Sequence, residues 1–484
     1  MQVGPLLQKF PRNNTSAAAA SLAKISDSLK TFTPLSATAD SVQKGFTNFY
    51  NDDAVGPFIP AMGQGPWILN SVGEVQYDTG GYGMLGLGHN PPHVMAALGR
   101  KQVGLIHSTL LFFFHFTNSR LHTHTQVMAN IMTPSLAQKT FWDKLKRELA
   151  PQYASIICLN SGSEANTHAM NVANRHHNEN PVRISIKGSF HGRTEGPGSV
   201  SGSSRANYEK HMADYSPNGR MKRGTYFIEP NDAEGAYHIF KEIAAKGEFP
   251  ELTLFEPVMG EGNPGVPVER GFYDALRELT ANAGGLLLAD SVQAGWRCTG
   301  ELSITRYPGF EDITPPDMES FSKAINGGQF PLSVLALSEN ITNHYQTGLY
   351  GNTMTANPRA LDVGSAVLEE MTPAVRKNIR ASGLAFKEAL GELAAKWPNL
   401  CEGVTGTGLL VALHLKHDAP VMPIERELRL RGLNVIHGGE NALRFTPWFH
   451  LSKGEISLIT EMLDEYFELY TSQGGVESAE LREA

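Results

Sequence analysis

Two ionisable side chains lie where apolar runs of the sequence end, and both are of a type that can do chemistry. Asp290 closes the run GLLLAD, and Lys323 follows the run ESFS just before the glycines of INGG. An acid at the carboxyl end of a parallel strand faces the crevice where α/β folds bind ligands, although such an aspartate can equally cap a helix. A desolvated lysine amine near another cation suits Schiff-base chemistry. The pair therefore predicts a reactive site at one edge of a sheet.

A third segment offers a binding site for an anion. Residues 160–165 (NSGSEA) end an apolar run and begin a stretch of helical periodicity. The backbone N–H groups around Gly162 and Ser163, the serine hydroxyls and the helix dipole would all favour a phosphate there.

A fourth segment, FHGRT, places an aromatic face and a guanidinium side by side. Phe190 and Arg193 supply these groups, and His191 lies between them in the sequence. Pyridoxal 5′-phosphate (PLP) needs a lysine, a carboxylate on its pyridinium nitrogen and an anchor for its phosphate. Lys323, Asp290, the phosphate-binding turn and the aromatic face together fit that cofactor, although each of them alone is weak evidence.

These segments need a framework that brings strand ends together. From about residue 150, short apolar runs alternate with stretches of helical periodicity, as is typical of βαβ crossovers and a mainly parallel sheet. The runs are ASIICLN, VRISIK, TYFIEP, LTLFEPVM, GLLLAD, ESFSKA and SVLALS. We predict an α/β fold with a large cofactor-binding domain over 95–355 and a smaller α+β domain over 356–470. Residues 1–94 would contribute to the smaller domain, and 471–484 would be a polar tail.

Composition excludes several classes of protein. The 484 residues include 41 Lys and Arg against 49 Asp and Glu, and the net charge of −8 argues against nucleic acid or an anionic membrane as partner. No run approaches the ~18 apolar residues of a membrane span. The 3 cysteines are far apart and the 17 histidines lack ligand spacing, so we predict no disulfide, no metal site and a reducing, cytoplasmic compartment.

Three further patterns have less specific interpretations. The N-terminus is rich in Ala and Ser and has no acid before Asp27, which faintly suggests a transit peptide, but an ordinary helix after a loose leader is favoured. The GxGxxG matches at 81–86 and 260–265 lack the strand-and-helix context of a dinucleotide site, since Pro264 interrupts the second. A nicotinamide dehydrogenase is therefore rejected.

Over residues 57–465 the chain resembles the class III (ω-)aminotransferases of PLP fold type I. The motifs that carry the resemblance are LNSGSEAN, GSFHGRT, EPVMGEG, LLLADSVQAGWRCTGE, ESFSKAINGGQFPLSVLAL, YGNTMTANPRA and LRFTPW. The resemblance implies that Lys323 carries the cofactor and shuttles the proton. It also implies that Asp290 keeps the ring nitrogen protonated.

The same resemblance implies roles for other residues around the cofactor. Gln293 would lie near the phenolic oxygen of the ring, Phe190 would stack on the ring, and Gly162 and Ser163 would hold the phosphate. Thr353 resembles the threonine that reaches the phosphate of the neighbouring subunit. The implied assembly is a homodimer with shared active sites.

At the substrate end, the resemblance implies two carboxylate clamps. Arg193 would hold the carboxylate of the amino donor, and Arg444 the α-carboxylate of glutamate or 2-oxoglutarate, because a planar guanidinium binds carboxylates in bidentate fashion. Glu261 would be a movable partner that covers Arg444 when an ω-amine donor is bound. The donor pocket is expected to include Tyr82, Met84 and His115.

The sequence departs from the family pattern at several positions. Ser291 replaces the glutamate of Asp-Glu-x-Gln, Ser322 replaces the usual Ala or Gly before the lysine, and Tyr350 replaces a histidine. The run at 110–116 (LLFFFHF) is unusually bulky, which favours core or dimer interface. None of these changes removes a catalytic group.

The implied activity moves the terminal amino group of an ω-amino acid, of the ornithine or 4-aminobutyrate type, to 2-oxoglutarate. An aminomutase, a racemase or a decarboxylating transaminase of the same fold remains an alternative. So does a non-catalytic homologue, although such a protein would have no reason to keep a buried amine.

Overall fold

A computed structural model describes residues 15–33, 37–47, 55–99, 131–176, 180–211, 224–345, 347–348 and 351–473. The bulky run at 110–116, with His115, and Tyr350 lie outside these ranges, as do the possible leader at 1–14 and residues 474–484 of the predicted tail. None of the helices in the described ranges combines the length and the apolar character that crossing a membrane requires.

A small four-stranded sheet joins N-terminal and C-terminal parts of the chain. Three antiparallel strands come from residues 60–78, and the third pairs in parallel with Leu433–Asn434. A helix packs on this sheet, and the Trp67 indole nitrogen donates to the carbonyl of Ala18 at 2.8 Å. The elements of this part are α1 (Ala17–Leu29), α2 (Ala39–Gln43), β1 (Pro60–Gln64), β2 (Trp67–Asn70), β3 (Val75–Asp78) and α3 (Pro92–Leu98).

The largest sheet has seven strands, and every apolar run that predicted a strand contributes one of them. Its elements, with the helices between them, are α4 (Leu136–Leu145), β4 (Tyr153–Leu159), α5 (Gly162–His176), β5 (Pro181–Ile186), α6 (Glu195–Val200), α7 (Arg205–His211), β6 (Thr225–Ile228), α8 (Ala233–Ala245), β7 (Phe249–Phe255), α9 (Arg270–Asn282), β8 (Leu286–Asp290), β9 (Met318–Phe321), β10 (Ser333–Ser338) and α10 (Glu339–His344). The strand order is β4-β10-β9-β8-β7-β5-β6. The predicted α/β fold is confirmed.

Burial explains why this sheet is mainly parallel. Strands β8 and β9 are buried at every residue, as expected when helices cover both faces of a sheet. Helix α8 shows the matching pattern, with Ala236, Phe240 and Ile243 buried at helical spacing. Strand β10 alone runs antiparallel to its neighbours β4 and β9. Hydrophobic periodicity does not encode strand direction, so the sequence could not predict that exception.

A third sheet, of four antiparallel strands, lies in the C-terminal part of the chain. Its order is β11-β12-β15-β14, and a long helix packs against β11 and β12. The elements here are α11 (Pro358–Glu370), α12 (Pro373–Lys396), β11 (Cys401–Thr407), β12 (Leu410–Leu415), α13 (Val421–Leu430), β13 (Leu433–Asn434), β14 (Ile436–Gly438), β15 (Ala442–Phe445) and α14 (Lys453–Ser472). The domain boundaries drawn from the sequence stay predictions.

Candidate active site

A cavity of about 400 Å³ opens at the carboxyl ends of β5, β7 and β8. Its volume lies in the range of small-molecule sites. Seven of the residues that the sequence singled out line it: Gly162, Ser163, Phe190, His191, Asp290, Gln293 and Lys323. Segments spread over more than 160 positions of the chain therefore converge on one space, because parallel strands end at the same edge of a sheet.

Asp290 is the last residue of β8 and is only 3% exposed. Its Oδ2 accepts from the Asn166 amide at 2.7 Å and lies 2.8 Å from Nδ1 of His191. Its Oδ1 accepts from the Val292 N–H at 3.1 Å and from the Ser320 hydroxyl at 3.3 Å. The carboxyl group thus bonds the turn that follows β8, where no helix begins, and its four contacts hold it at the cavity wall.

His191 supports Asp290 from behind. Nδ1 of His191 forms the hydrogen bond to the Asp290 carboxyl group, and Nε2 is the other ring nitrogen. That Nε2 is buried without a hydrogen-bond partner among the described residues. Asn166 also has one such atom, its Oδ1. The cavity wall therefore contains polar atoms whose hydrogen bonding a polar ligand can complete.

Lys323 lies two residues beyond the end of β9, which stops at Phe321 rather than continuing through the whole predicted run ESFSKA. Its φ of +41° is in the left-handed region, where a residue with a side chain is strained. The Nζ donates to Oε1 of Gln293. Strain of this kind persists only where the surrounding structure imposes it.

Burial lowers the pKa of Lys323 to about 8, and the nearby Arg444 guanidinium adds to the decrease. The carboxylates of Glu261, Glu256 and Asp290 act in the opposite direction. A lysine with this pKa is partly neutral near physiological pH. Only the neutral amine has the lone pair that a nucleophile or a base requires.

The N-terminus of α5 forms the predicted anion-binding turn. Glu164 Oε2 accepts from the Ser161 N–H at 3.0 Å, and the Glu164 N–H donates to the Ser161 hydroxyl at 3.3 Å, which is a capping box. The Ser163 hydroxyl accepts from the Arg193 N–H at 3.2 Å and can still donate its own proton. Gly162 and Ser163 line the cavity at the helix end, where first-turn amides point outward.

The loop after β5 brings Phe190 and Arg193 together. The guanidinium carbon of Arg193 lies 5.4 Å from the centroid of the Phe190 ring. Gly192 between them has a φ of +126°, and a Cβ there would lie 2.4 Å from the Ser163 hydroxyl oxygen. The loop can therefore pack against α5 only with glycine at this position.

Glu256 was missed by the sequence analysis. It follows β7, lines the cavity and is 5% exposed, and its carboxyl accepts from the N–H groups of Phe190 and Gly260, both at 3.0 Å. Burial raises its pKa to about 8, and the charge of Asp290 adds to the increase. It is an acid after a buried strand, as Asp290 is, so the reasoning that found Asp290 could have found Glu256.

The carbonyl of Gly260 connects the substrate side to the cofactor side. It accepts from Nη1 of Arg444 at 2.6 Å and from Nε2 of Gln293 at 2.9 Å. A Cβ on Gly260 would lie 2.5 Å from the Gln293 side chain, so a larger residue here would displace the Gln293 amide. Arg444 is 2% exposed, and its guanidinium lies 5.7 Å from the ring centroid of Tyr82.

Of the other predicted residues, Met84 lines the cavity, whereas Glu261 and Thr353 do not. Glu261, which the resemblance assigns to Arg444, has its Oε1 4.0 Å from Nη2 of Arg193. Met84 lines the cavity, in the loop whose GxGxxG match was rejected. Thr353 is exposed and does not line the cavity of its own chain.

These groups fit pyridoxal 5′-phosphate. The cavity offers an amine of lowered pKa, a rigidly held carboxylate, a helix N-terminus and an aromatic ring, which are the contacts that this cofactor needs. The unpartnered buried atoms of Asn166 and His191 agree with a polar ligand in the same space.

Comparison with known sequences shows the family to which this chain belongs. The family model described as "Aminotransferase class-III" matches residues 50–467. The chain is 30% identical over 417 residues to an acetylornithine aminotransferase of Mesorhizobium japonicum, an alignment that covers 84% of this chain and 92% of the relative. An acetylornithine aminotransferase of Prochlorococcus marinus is 28% identical over 322 residues, covering 65% and 74% of the two chains.

Comparison with solved structures shows the fold. The ornithine aminotransferase of Toxoplasma gondii superposes with a TM-score of 0.71 at 19% identity, covering 93% of this chain and 98% of that one. The taurine:2-oxoglutarate aminotransferase of Bifidobacterium kashiwanohense, solved in complex with PLP and glutamate, gives a TM-score of 0.73 at 19% identity and covers 90% and 98%.

Proposed function

Since the chain belongs to the class-III aminotransferases, which are PLP-dependent enzymes, we propose that it transfers the terminal amino group of an ω-amino acid to 2-oxoglutarate. The observation that carries this proposal is that Lys323, an amine of lowered pKa, lines the same cavity as the Asp290 carboxyl group and the N-terminal turn of α5. Arg444 is close enough to lower the pKa of Lys323, and Arg193 contacts the cavity-lining ring of Phe190. Two guanidinium groups near one cavity suit substrates that carry carboxylates.

The chain's own residues would hold the cofactor and move the proton. When bound, PLP supplies the electron sink that allows the bonds of the amino-bearing carbon to break. Lys323 would bind it covalently and, once displaced by the donor amine, its Nζ would take the proton from that carbon. Asp290, fixed by His191 and Asn166, would hold the proton on the ring nitrogen. Ser163 and the first turn of α5 would bind the phosphate.

Arg193 and Arg444 would orient the two substrates. We assign the donor carboxylate to Arg193 and the α-carboxylate of the oxo acid to Arg444. Glu261 would pair with whichever guanidinium is empty of substrate, and its 4.0 Å approach to Arg193 supports that movable role. The similar proteins include acetylornithine, ornithine and taurine aminotransferases. We therefore propose to test ornithine and N-acetylornithine first as donors, followed by 4-aminobutyrate and taurine.

We also propose a cytoplasmic homodimer. Thr353 is exposed and does not line the cavity of its own chain. This position suits a residue that completes the phosphate site of a second copy. The three cysteines are buried and free, which suits a reducing compartment. A cross-complementation experiment tests the shared site, because mixing Lys323→Ala and Thr353→Ala subunits should restore activity in the heterodimer.

A half-reaction screen tests the activity itself. Purified protein is mixed with each donor in turn without an oxo acid, and loss of the visible absorbance of the bound cofactor is followed. We expect ω-amines to discharge the absorbance and 2-oxoglutarate to restore it, with Lys323→Ala as the inactive control. Turnover of α-amino acids alone would contradict the ω-amine assignment. Rearrangement of a donor with no need for an oxo acid would indicate an aminomutase.

A further inference from the structure

A fully buried carboxyl group lies behind the cofactor site, inside the sheet. Glu319 on β9 is 0% exposed and accepts four hydrogen bonds. Its Oε1 accepts from the Ser291 hydroxyl at 2.6 Å and from the Ile304 N–H at 3.0 Å. Its Oε2 accepts from the hydroxyls of Ser303 at 2.6 Å and Tyr153 at 3.3 Å.

This position is costly for a carboxyl group. The neighbouring residues Met318 and Phe321 on β9 are completely buried, so an apolar side chain would suit the sheet interior. Burial raises the pKa of Glu319 to about 7, while its hydrogen bonds act in the opposite direction. A buried acid that is bonded by hydroxyls and an amide rather than by a cation contributes less to stability than a well-packed leucine would.

The contacts of Glu319 lead directly to Asp290. Ser291 is the next residue after Asp290, and its hydroxyl donates to Glu319. Ser320, the next residue after Glu319, donates its hydroxyl to Asp290 at 3.3 Å and its carbonyl accepts from the Ser291 N–H at 2.9 Å. The residue pairs 290–291 and 319–320 are therefore joined by three hydrogen bonds across β8 and β9.

We propose that Glu319 is a positioning residue for Asp290, which holds the end of β8 through Ser291 so that the Asp290 carboxylate faces the cofactor ring nitrogen. The inference rests on the role of Asp290 in the proposed function. Ser291 is also the position at which this chain departs from the Asp-Glu-x-Gln pattern. Here the carboxylate that anchors this turn comes from the neighbouring strand.

Cofactor affinity tests the inference independently of turnover. Apoprotein is titrated with PLP, the dissociation constant is read from the visible absorbance, and thermal unfolding is measured in parallel. We expect Glu319→Leu to raise the dissociation constant on the order of tenfold, by analogy with the loss of a supporting hydrogen bond at a metal site. Ser291→Ala removes only the connecting bond and should raise it about threefold. Glu319→Gln keeps an acceptor oxygen for Ser291. Its dissociation constant for PLP should lie between those of the wild type and Glu319→Leu.

Glu251→Leu is the matched control. Glu251 is also 0% exposed, but it lies near the start of β7, paired with Arg183 at 2.9 Å. This variant should lose thermal stability and keep the wild-type affinity for PLP. The inference is overturned if the PLP affinity of folded Glu319→Leu stays at the wild-type value, whatever its thermal stability.

Ser291→Ala and one further variant make the outcome unambiguous. If Glu319→Leu does not fold, Ser291→Ala decides alone, because weaker PLP binding supports the inference and unchanged binding overturns it. Asp290→Asn separates this inference from the function on which it rests. Wild-type PLP affinity and absorbance in Asp290→Asn would contradict the role of Asp290, whatever Glu319 does.

Discussion

The two edges of the seven-stranded sheet, at the amino ends and at the carboxyl ends of its parallel strands, differ in how their charged groups are paired. Near the amino ends of the parallel strands, Arg183 pairs with Glu251 at 2.9 Å and Arg277 pairs with Asp317 at 2.6 Å. Each of these acids has a guanidinium partner. Charge at this edge is balanced, and its effect is on stability.

At the carboxyl ends, buried acids gather around one amine. Glu256 and Asp290 both line the cavity of Lys323, and burial moves the pKa of Glu256 up to about 8 and that of Lys323 down to about 8. Groups with such pKa values exchange protons readily near neutral pH. Charged groups at the amino ends of the strands therefore stabilise the fold, whereas those at the carboxyl ends are reactive and make it less stable.

The largest effect is expected from Lys323→Ala. Removing the amine removes both the covalent attachment of the cofactor and the base that moves the proton, so transamination should fall by about 10⁴-fold or more. The visible absorbance of the lysine-bound cofactor should disappear from the spectrum of the purified protein. A variant with normal absorbance would refute the assignment of Lys323.

Asp290→Asn should have the next largest effect. An amide cannot stabilise a protonated ring nitrogen as a carboxylate does, so kcat should fall about 10²-fold or more. The same change at the other edge, Asp317→Asn, should leave kcat unchanged and lower the melting temperature slightly. Equal loss of kcat in both variants would remove the functional difference between the two edges.

Arg444→Lys should affect one substrate more than the other. A lysine keeps the charge but loses the bidentate geometry, so KM for the oxo acid should rise about tenfold, whereas kcat changes less. Arg193→Lys is the matched variant, and its KM increase should appear with the amino donor. Identical KM profiles for the two variants would contradict separate clamps.

Arg183→Leu should affect stability and leave activity unchanged. It leaves the fully buried Glu251 without its cationic partner, which costs about 3–5 kcal/mol of unfolding free energy. Denaturant unfolding measures this loss, and kcat at a temperature where the variant is folded should equal that of the wild type. A lower kcat in the folded variant would show that the amino edge also serves the reaction.

The last prediction is a pH dependence of the stability of the apoprotein. Burial raises the pKa of Glu256 from 4.5 to about 8, with Asp290 adding to the increase and Lys323 opposing it. Between these pH values the folded chain retains a proton that the unfolded chain has lost, so stability falls as pH rises from 4.5 to 8. Glu256→Gln should flatten this part of the stability curve, measured by denaturant unfolding at several pH values.

Much of the sheet and of the candidate site is readable from the sequence, because both depend on local patterns. Apolar runs of strand length predicted all seven strands, and the positions of Asp290 and Lys323 after two of those runs predicted their convergence. The antiparallel direction of β10 was not predictable, since antiparallel and parallel strands share the same apolar pattern when both faces are buried.

The residues that the sequence analysis missed depend on contacts between distant segments. In the sequence Glu319 belongs to an ordinary polar-apolar run, and only the fold brings Ser291, Ser303 and Tyr153 to it. Asn166 lies within a motif that was interpreted only as a phosphate-binding turn, yet its amide bonds Asp290. No local pattern states that a helix residue and a strand end will meet.

The shared carbonyl of Gly260 has a consequence for how such an enzyme could change its substrates. Arg444, which we assign to the oxo acid, and Gln293, which bonds the amine of Lys323, both donate to that one oxygen. A mutation that replaces Arg444 to admit a new acceptor also releases a hydrogen bond beside the cofactor. Evolution of acceptor preference along this route would therefore require a compensating change near Gln293, and directed-evolution libraries should vary the two positions together.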